Sequence, residues 1–110
     1  MKTAALITLL VLAVSAPRQA LAQRVSTIDG NRLLTLCTGK NVSGCDAYVS
    51  GFADSEYSIS PLRVCVPLAV TCTALRETLV AFLRANPAAL PHKAADITLR
   101  ALTRAYPCGK

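Results

Sequence analysis

The stretch TCTALRETLVAFLRANP, residues 71–87, decides the fold. Cys72, Leu75, Leu79, Phe82 and Leu83 recur there at steps of three and four, which predicts a helix with a single apolar stripe. Thr71 or Thr73 can cap its start, since a threonine oxygen accepts one of the N–H groups left unpaired in the first turn. Asn86-Pro87 stops it, because proline lacks the N–H and crowds the preceding turn.

Working outward, the same period appears three more times. Upstream, residues from about Asp29 to Thr38 carry Leu33, Leu34, Leu36 and Cys37 on an apolar side. Gly39 to Gly44 forms a turn rich in Gly, Asn and Ser. A second helix runs from about Cys45 to Tyr57, with Cys45, Tyr48, Phe52 and Ser55 on one face. Asp46 lies in its first turn, where a negative charge complements the helix dipole. Ser60-Pro61 ends the pattern, and Arg63 to Pro67 reads as a short extended link. Downstream, a last helix starts after Pro91 and reaches about Tyr106, with Ala95, Leu99, Leu102 and Tyr106 inward, before Pro107-Cys108. No segment after the leader alternates apolar and polar residues for more than four positions, which argues against strands. The expectation is all-α, a compact bundle of four crossed helices in one domain over residues 23–110.

Residues 1–22 read as a secretory leader. Lys2 gives a positive start, Ala4 to Ala16 an apolar run, and Ala20-Leu21-Ala22 a small-x-small cleavage pattern before Gln23. The run is short of the roughly 20 apolar residues needed to span a bilayer, and no other stretch is long enough. Loss of Lys2 and Arg18 from twelve basic residues leaves ten against six acidic ones, a net charge of +4. No Lys/Arg run and no interleaving of basic with aromatic residues is present, which argues against nucleic-acid binding.

A domain this small buries a modest fraction of its surface and gains from covalent staples. Cys37, Cys45, Cys65, Cys72 and Cys108 all follow the leader. In an oxidising compartment they read as two bridges and one spare thiol, in any of fifteen arrangements. Cys72 lies on the apolar stripe and reads as a buried, inert thiol. Nucleophilic chemistry would draw on Cys72 and His92, the only histidine. His92 sits beside Pro91 and Lys93 in a first turn, where it reads as an exposed surface residue. No G-x-S-x-G turn and no C-x-x-C pair is present, so neither a serine hydrolase nor a common zinc site is indicated. The reading is a binding protein that is not an enzyme and needs no metal or cofactor.

Candidate binding residues are basic. Lys93, Arg100 and Arg104 follow steps of seven and four, which keep them on a common side of the last helix. Asp96, four residues before Arg100, can pair with it. The stripe reads as a solvated face or as a docking surface for an acidic partner.

In order, the residues Cys37, Cys45-x-x-Tyr48-x-x-Gly51, Cys65-x-Pro67, Phe82-Leu83-x-x-Asn86-Pro87 and Ala101-Leu102-x-x-Ala105-Tyr106-Pro107-Cys108 resemble the Rap/Tai family of periplasmic immunity proteins. That resemblance covers about residues 30–108. It implies an all-helical periplasmic inhibitor of a peptidoglycan amidase delivered by type VI secretion, acting as a monomer or a homodimer. It also implies the pairs Cys37–Cys45 and Cys65–Cys108, with Cys72 left as the free thiol. Gly51 inside a helix costs up to about 1 kcal/mol relative to Ala, which is best explained by another backbone passing close, with Tyr48 beside the crossing. Tyr48, Gly51, Pro67 and Pro107 are thus expected to be structural. The competing function is a periplasmic stress or chaperone-like module on the same scaffold.

Overall fold

The computed structural model describes residues 23 and 25–109; the leader read over residues 1–22 lies outside the described residues. Four helices follow one another, α1 (Gly30–Thr38), α2 (Ser43–Ile59), α3 (Cys72–Ala85) and α4 (Ala94–Ala105), with a single 3-10 turn at Pro87–Ala89. Among the described residues there is no strand, only one isolated bridge between Asp29 and Lys93. The architecture is the expected all-α bundle.

Three of the four helices begin where a nearby side chain accepts from an orphan N–H group, while α4 has no side-chain cap. Asp29 Oδ1 accepts from Arg32 N at 2.9 Å and caps α1. Of the two threonines available to α3, Thr71 is the cap, its Oγ1 accepting from Ala74 N at 3.1 Å. For α2 the hydroxyl and amide of Ser43 both donate to Asn41 Oδ1, at 2.6 and 3.0 Å, a local turn that launches the helix.

The helices meet on a core that includes Leu33, Val49, Leu79, Leu83, Ile97 and Leu102, each with no exposed surface. On α3 the buried residues are Leu75, Leu79 and Leu83, the centre of the expected stripe, while Phe82 is half-buried. Two faces differ from expectation. On α2 the buried positions are Cys45, Val49 and Glu56, and Ser55 is exposed. On α4 they are Ala94, Ile97, Thr98, Ala101 and Leu102, and Ala95 is exposed. The α4 stripe is therefore turned by about one residue. Periodicity alone admits both stripes, and a hydroxyl inside the correct one disguises it. Thr98 sits there because its Oγ1 donates to the Ala94 carbonyl at 2.8 Å.

The two disulfides are Cys37–Cys45, eight residues apart, and Cys65–Cys108, forty-three residues apart. The first closes the α1–α2 turn inside the core. The second ties the tail beyond α4 to the link between α2 and α3. In chain-entropy terms they stabilise by about 2.5 and about 4 kcal/mol, respectively.

One glycine carries a close backbone approach, and it is Gly30 rather than Gly51. The N–H groups of Gly30 and Asn31 donate to the carbonyls of His92 and Leu90, both at 3.1 Å, so the start of α1 lies against the loop before α4. A Cβ on Gly30 would come within 2.6 Å of Ile97 Cδ1 and 2.8 Å of the Leu90 backbone. A Cβ on Gly51 would meet nothing within 4 Å, so no chain crosses there. Tyr48 instead packs on the core edge, with its ring 6.5 Å from that of Phe52. Two opposite outcomes follow. In chemical denaturation, Gly30→Ala is expected to lower stability by about 1–3 kcal/mol through overpacking. Gly51→Ala is expected to raise it by up to about 1 kcal/mol, because an exposed helical site gains an alanine at no steric cost.

Candidate functional site

The surface that sets this bundle apart lies on the α2–α3 link, residues 60–71. Apolar residues there have no helix period to turn them inward. Val64 alone is fully anchored, at 5% exposure, while Leu62 is 85% and Leu68 fully exposed. Tyr57 and Ile59, at the end of α2, are exposed as well. Four of the five large hydrophobics exposed among the described residues thus fall between positions 57 and 68, with Val25 apart from them. Between the link and α2 runs a groove of about 600 Å³, lined by Ala53, Tyr57, Pro61, Val66, Leu68 and Val70 among others. Tyr57 and Leu68 line this groove, and exposed apolar residues around a groove are a candidate binding surface.

The link is tied to the bundle at several points although it has no regular structure. Cys65 N donates to the Tyr106 carbonyl at 3.0 Å, beside the Cys65–Cys108 bridge. Val70 N donates to the Pro67 carbonyl at 3.0 Å, which makes Pro67 the start of a turn. Pro107 follows the last residue of the α4 cap and delivers Cys108 to its partner. Arg63 forks onto Glu56, Nε to Oε2 at 2.7 Å and the second nitrogen to Oε1. Those hydrogen bonds hold the Arg63 guanidinium above its ordinary pKa. They also satisfy the carboxylate of Glu56, which is buried on α2.

Cys72 opens onto the same groove and is a free, exposed thiol rather than a buried one. It occupies the first residue of α3, before the stripe has turned fully inward. Its Sγ lies 2.7 Å from Ser50 Oγ and 3.5 Å from the Asp46 carbonyl, and none of its hydrogen bonds joins it to His92. His92 is exposed, and its backbone closes the turn before α4 by donating to the Ala89 carbonyl at 2.9 Å.

The three basic candidates do not share one surface. Lys93 precedes α4 with extended backbone torsions (φ −59°, ψ 133°), so helical spacing does not govern it. It lies at a shallow hollow beside Tyr48 and Ile28. Arg100 and Arg104 instead border a second groove, of about 520 Å³, with Arg63, Phe82, Asn86 and Leu99. The Asp96–Arg100 pair is not formed; the guanidinium carbon of Arg100 sits 5.8 Å from the centre of the Phe82 ring.

Sequence reasoning missed the exposed residues Tyr57, Ile59, Leu62 and Leu68, and the Arg63–Glu56 fork. A link without period gives no sign of which apolar residues face out, and a seven-residue spacing across Pro61 signals no ion pair.

Among the described residues no group of three or more metal-ligating side chains assembles, and no helix is long and apolar enough to cross a membrane. The fold is a disulfide-bonded all-α bundle with grooves on its surface. Residues 29–108 match the family of Rap1a immunity proteins, and the chain belongs to that family. No curated protein and no solved structure matches it. Membership implies recognition of a cognate effector, and a role by binding rather than catalysis. Exposure of one thiol gives a direct check. Under non-reducing, native conditions a maleimide is expected to add one equivalent per chain, at Cys72, and none to a Cys72→Ser variant.

Proposed function

We propose that this protein is a periplasmic immunity protein that binds and inhibits a peptidoglycan amidase delivered by type VI secretion. The observation that carries the reading is the exposed apolar set of Tyr57, Ile59, Leu62 and Leu68 on and beside a cross-linked link, with Tyr57 and Leu68 lining its groove. A stoichiometric inhibitor needs a stiff surface that is left uncovered in the free protein, because side chains already ordered lose less entropy on binding. The family supplies the kind of partner, a cognate effector. The motif order from Cys37 to Cys108, with its resemblance to the Rap/Tai family, supports an amidase as that effector. Two disulfides suit an oxidising compartment, and the leader over residues 1–22 supports export.

Exposed apolar side chains of this kind can become the buried anchors that contribute most to affinity once a partner covers them. Co-expression in the periplasm with the effector encoded beside it, tested for peptidoglycan amidase activity, is expected to prevent lysis and to give a stable complex on gel filtration. Leu62→Asp with Leu68→Asp is expected to raise Kd by at least about tenfold with the fold intact. Lysis and no complex with the wild-type protein would remove the reading. Capture of many unrelated unfolded clients, with no preference for that effector, would favour the chaperone-like alternative.

A further inference from the structure

The groove over Phe82 has a charge pattern that the rest of the molecule leaves uncompensated. The two ion pairs among the described residues join Arg63 to Glu56 and Arg76 to Asp46. Asp29 is engaged as the cap of α1. Among the described residues neither Arg100 nor Arg104 has a carboxylate partner, and no acidic residue lines the groove they border. Its floor is apolar, made by the half-buried rings and chains of Phe82 and Leu99. Arg100 lies over the Phe82 ring, which places its planar guanidinium on an aromatic surface. A guanidinium held this way can still direct N–H groups at a carboxylate in a two-pronged contact. Arg104 stands one helical turn further along the same side of α4.

We propose that this groove takes an acidic segment of the partner polypeptide, with carboxylates on Arg100 and Arg104 and a neighbouring apolar side chain on Phe82 and Leu99. The inference deepens the immunity reading and rests on it for the identity of the partner. Position supports the occupant. Pro61 lines the apolar groove and Arg63, two residues on, lines the arginine groove, so both open along one link. A polypeptide seated on the exposed apolar set has its next contact there. A nucleic acid fits less well, because the groove offers one half-buried aromatic ring and no platform for successive bases. Oppositely charged contacts of this kind act chiefly on selectivity and on the association rate.

The oxidised, exported protein can be titrated in an NMR experiment with the blocked peptide Glu-Leu-Asp-Phe-Glu-Leu, its Gln/Asn counterpart, and a short oligothymidylate. The expected result is shifts confined to residues 82–86 and 99–104 with the acidic peptide. Affinity should fall by at least about tenfold with the Gln/Asn peptide, with Arg100→Gln plus Arg104→Gln, and on raising salt from about 0.05 to about 0.5 M, where the screening length shortens. Equal binding of the uncharged peptide, tighter binding of the oligonucleotide, or no shifts up to millimolar peptide would overturn the inference. In parallel, the double Gln variant is expected to weaken the complex with the effector encoded beside it. If that effector ignores the wild-type protein, the immunity reading fails while the peptide titration still decides the groove. If it binds wild type and double variant alike at every salt concentration, the groove assignment fails and the immunity reading stands.

Discussion

Cys65 is fixed twice to the end of α4, by its bridge to Cys108 and by its N–H on the Tyr106 carbonyl, and the outward surface of the protein depends on that fixation. Between Ser60 and Thr71 the chain forms no helix or strand, so it lacks the cooperative hydrogen bonding that would otherwise hold it. Val64 in the core and the Arg63–Glu56 fork give it two more attachments, both on the same side of Cys65. The link is the shared wall of the two grooves. If it moved, Leu62 and Leu68 would no longer be presented on a stiff surface, and Arg63 would leave the rim of the arginine groove. A closure of forty-three residues, worth about 4 kcal/mol, is a large fraction of the 5–15 kcal/mol by which small domains are stable.

The other bridge acts on a different part of the molecule. Cys37 and Cys45 are both buried, and their bond joins the ends of α1 and α2 inside the core. The opposite end of α1 is seated by backbone contacts to the carbonyls of Leu90 and His92, which Gly30 permits by having no Cβ. Thus α1 is held covalently at its C-terminal end and by close packing at its N-terminal end. Tyr106 extends this coupling, since its hydroxyl lies 3.3 Å from Thr78 Oγ1 on α3 while its carbonyl holds the link. Local sequence choices and long-range ties converge on one arrangement, which is what a well-specified fold requires.

Much of that arrangement was readable from the residues, and the failures have physical causes. Four helices could be placed because their stops are chemical, Gly39 to Gly44, Ser60-Pro61, Asn86-Pro87 and Pro107. The face of α3 was legible because leucines dominate it. That of α4 was not, since Ala94, Thr98 and Ala101 are small or polar and their burial depends on neighbours distant in sequence. Gly51 was misread because a helical glycine advertises a lost side chain without saying whether anything fills the space. Gly30 carried no such signal, because a glycine beside a cap looks ordinary. The disulfide pairs were not deducible from spacing, and the family resemblance selected them. The exposed apolar set remained hidden, because exposure in a link is set by which single residue, here Val64, the core accepts.

Membership in the immunity family implies binding of a cognate effector. The most direct test compares two cross-link variants, Cys65→Ala with Cys108→Ala, and Cys37→Ala with Cys45→Ala, by hydrogen exchange resolved to individual amides. Loss of the Cys65–Cys108 bridge is predicted to speed exchange at the amides of position 65 and Val70, whose N–H groups are hydrogen-bonded, while the core amides of α2 and α3 stay relatively protected. Loss of the other bridge is predicted to leave those link amides slow relative to α1. Link amides that exchange as slowly without the Cys65–Cys108 bridge as with it would contradict the claim that this cross-link holds the link in place.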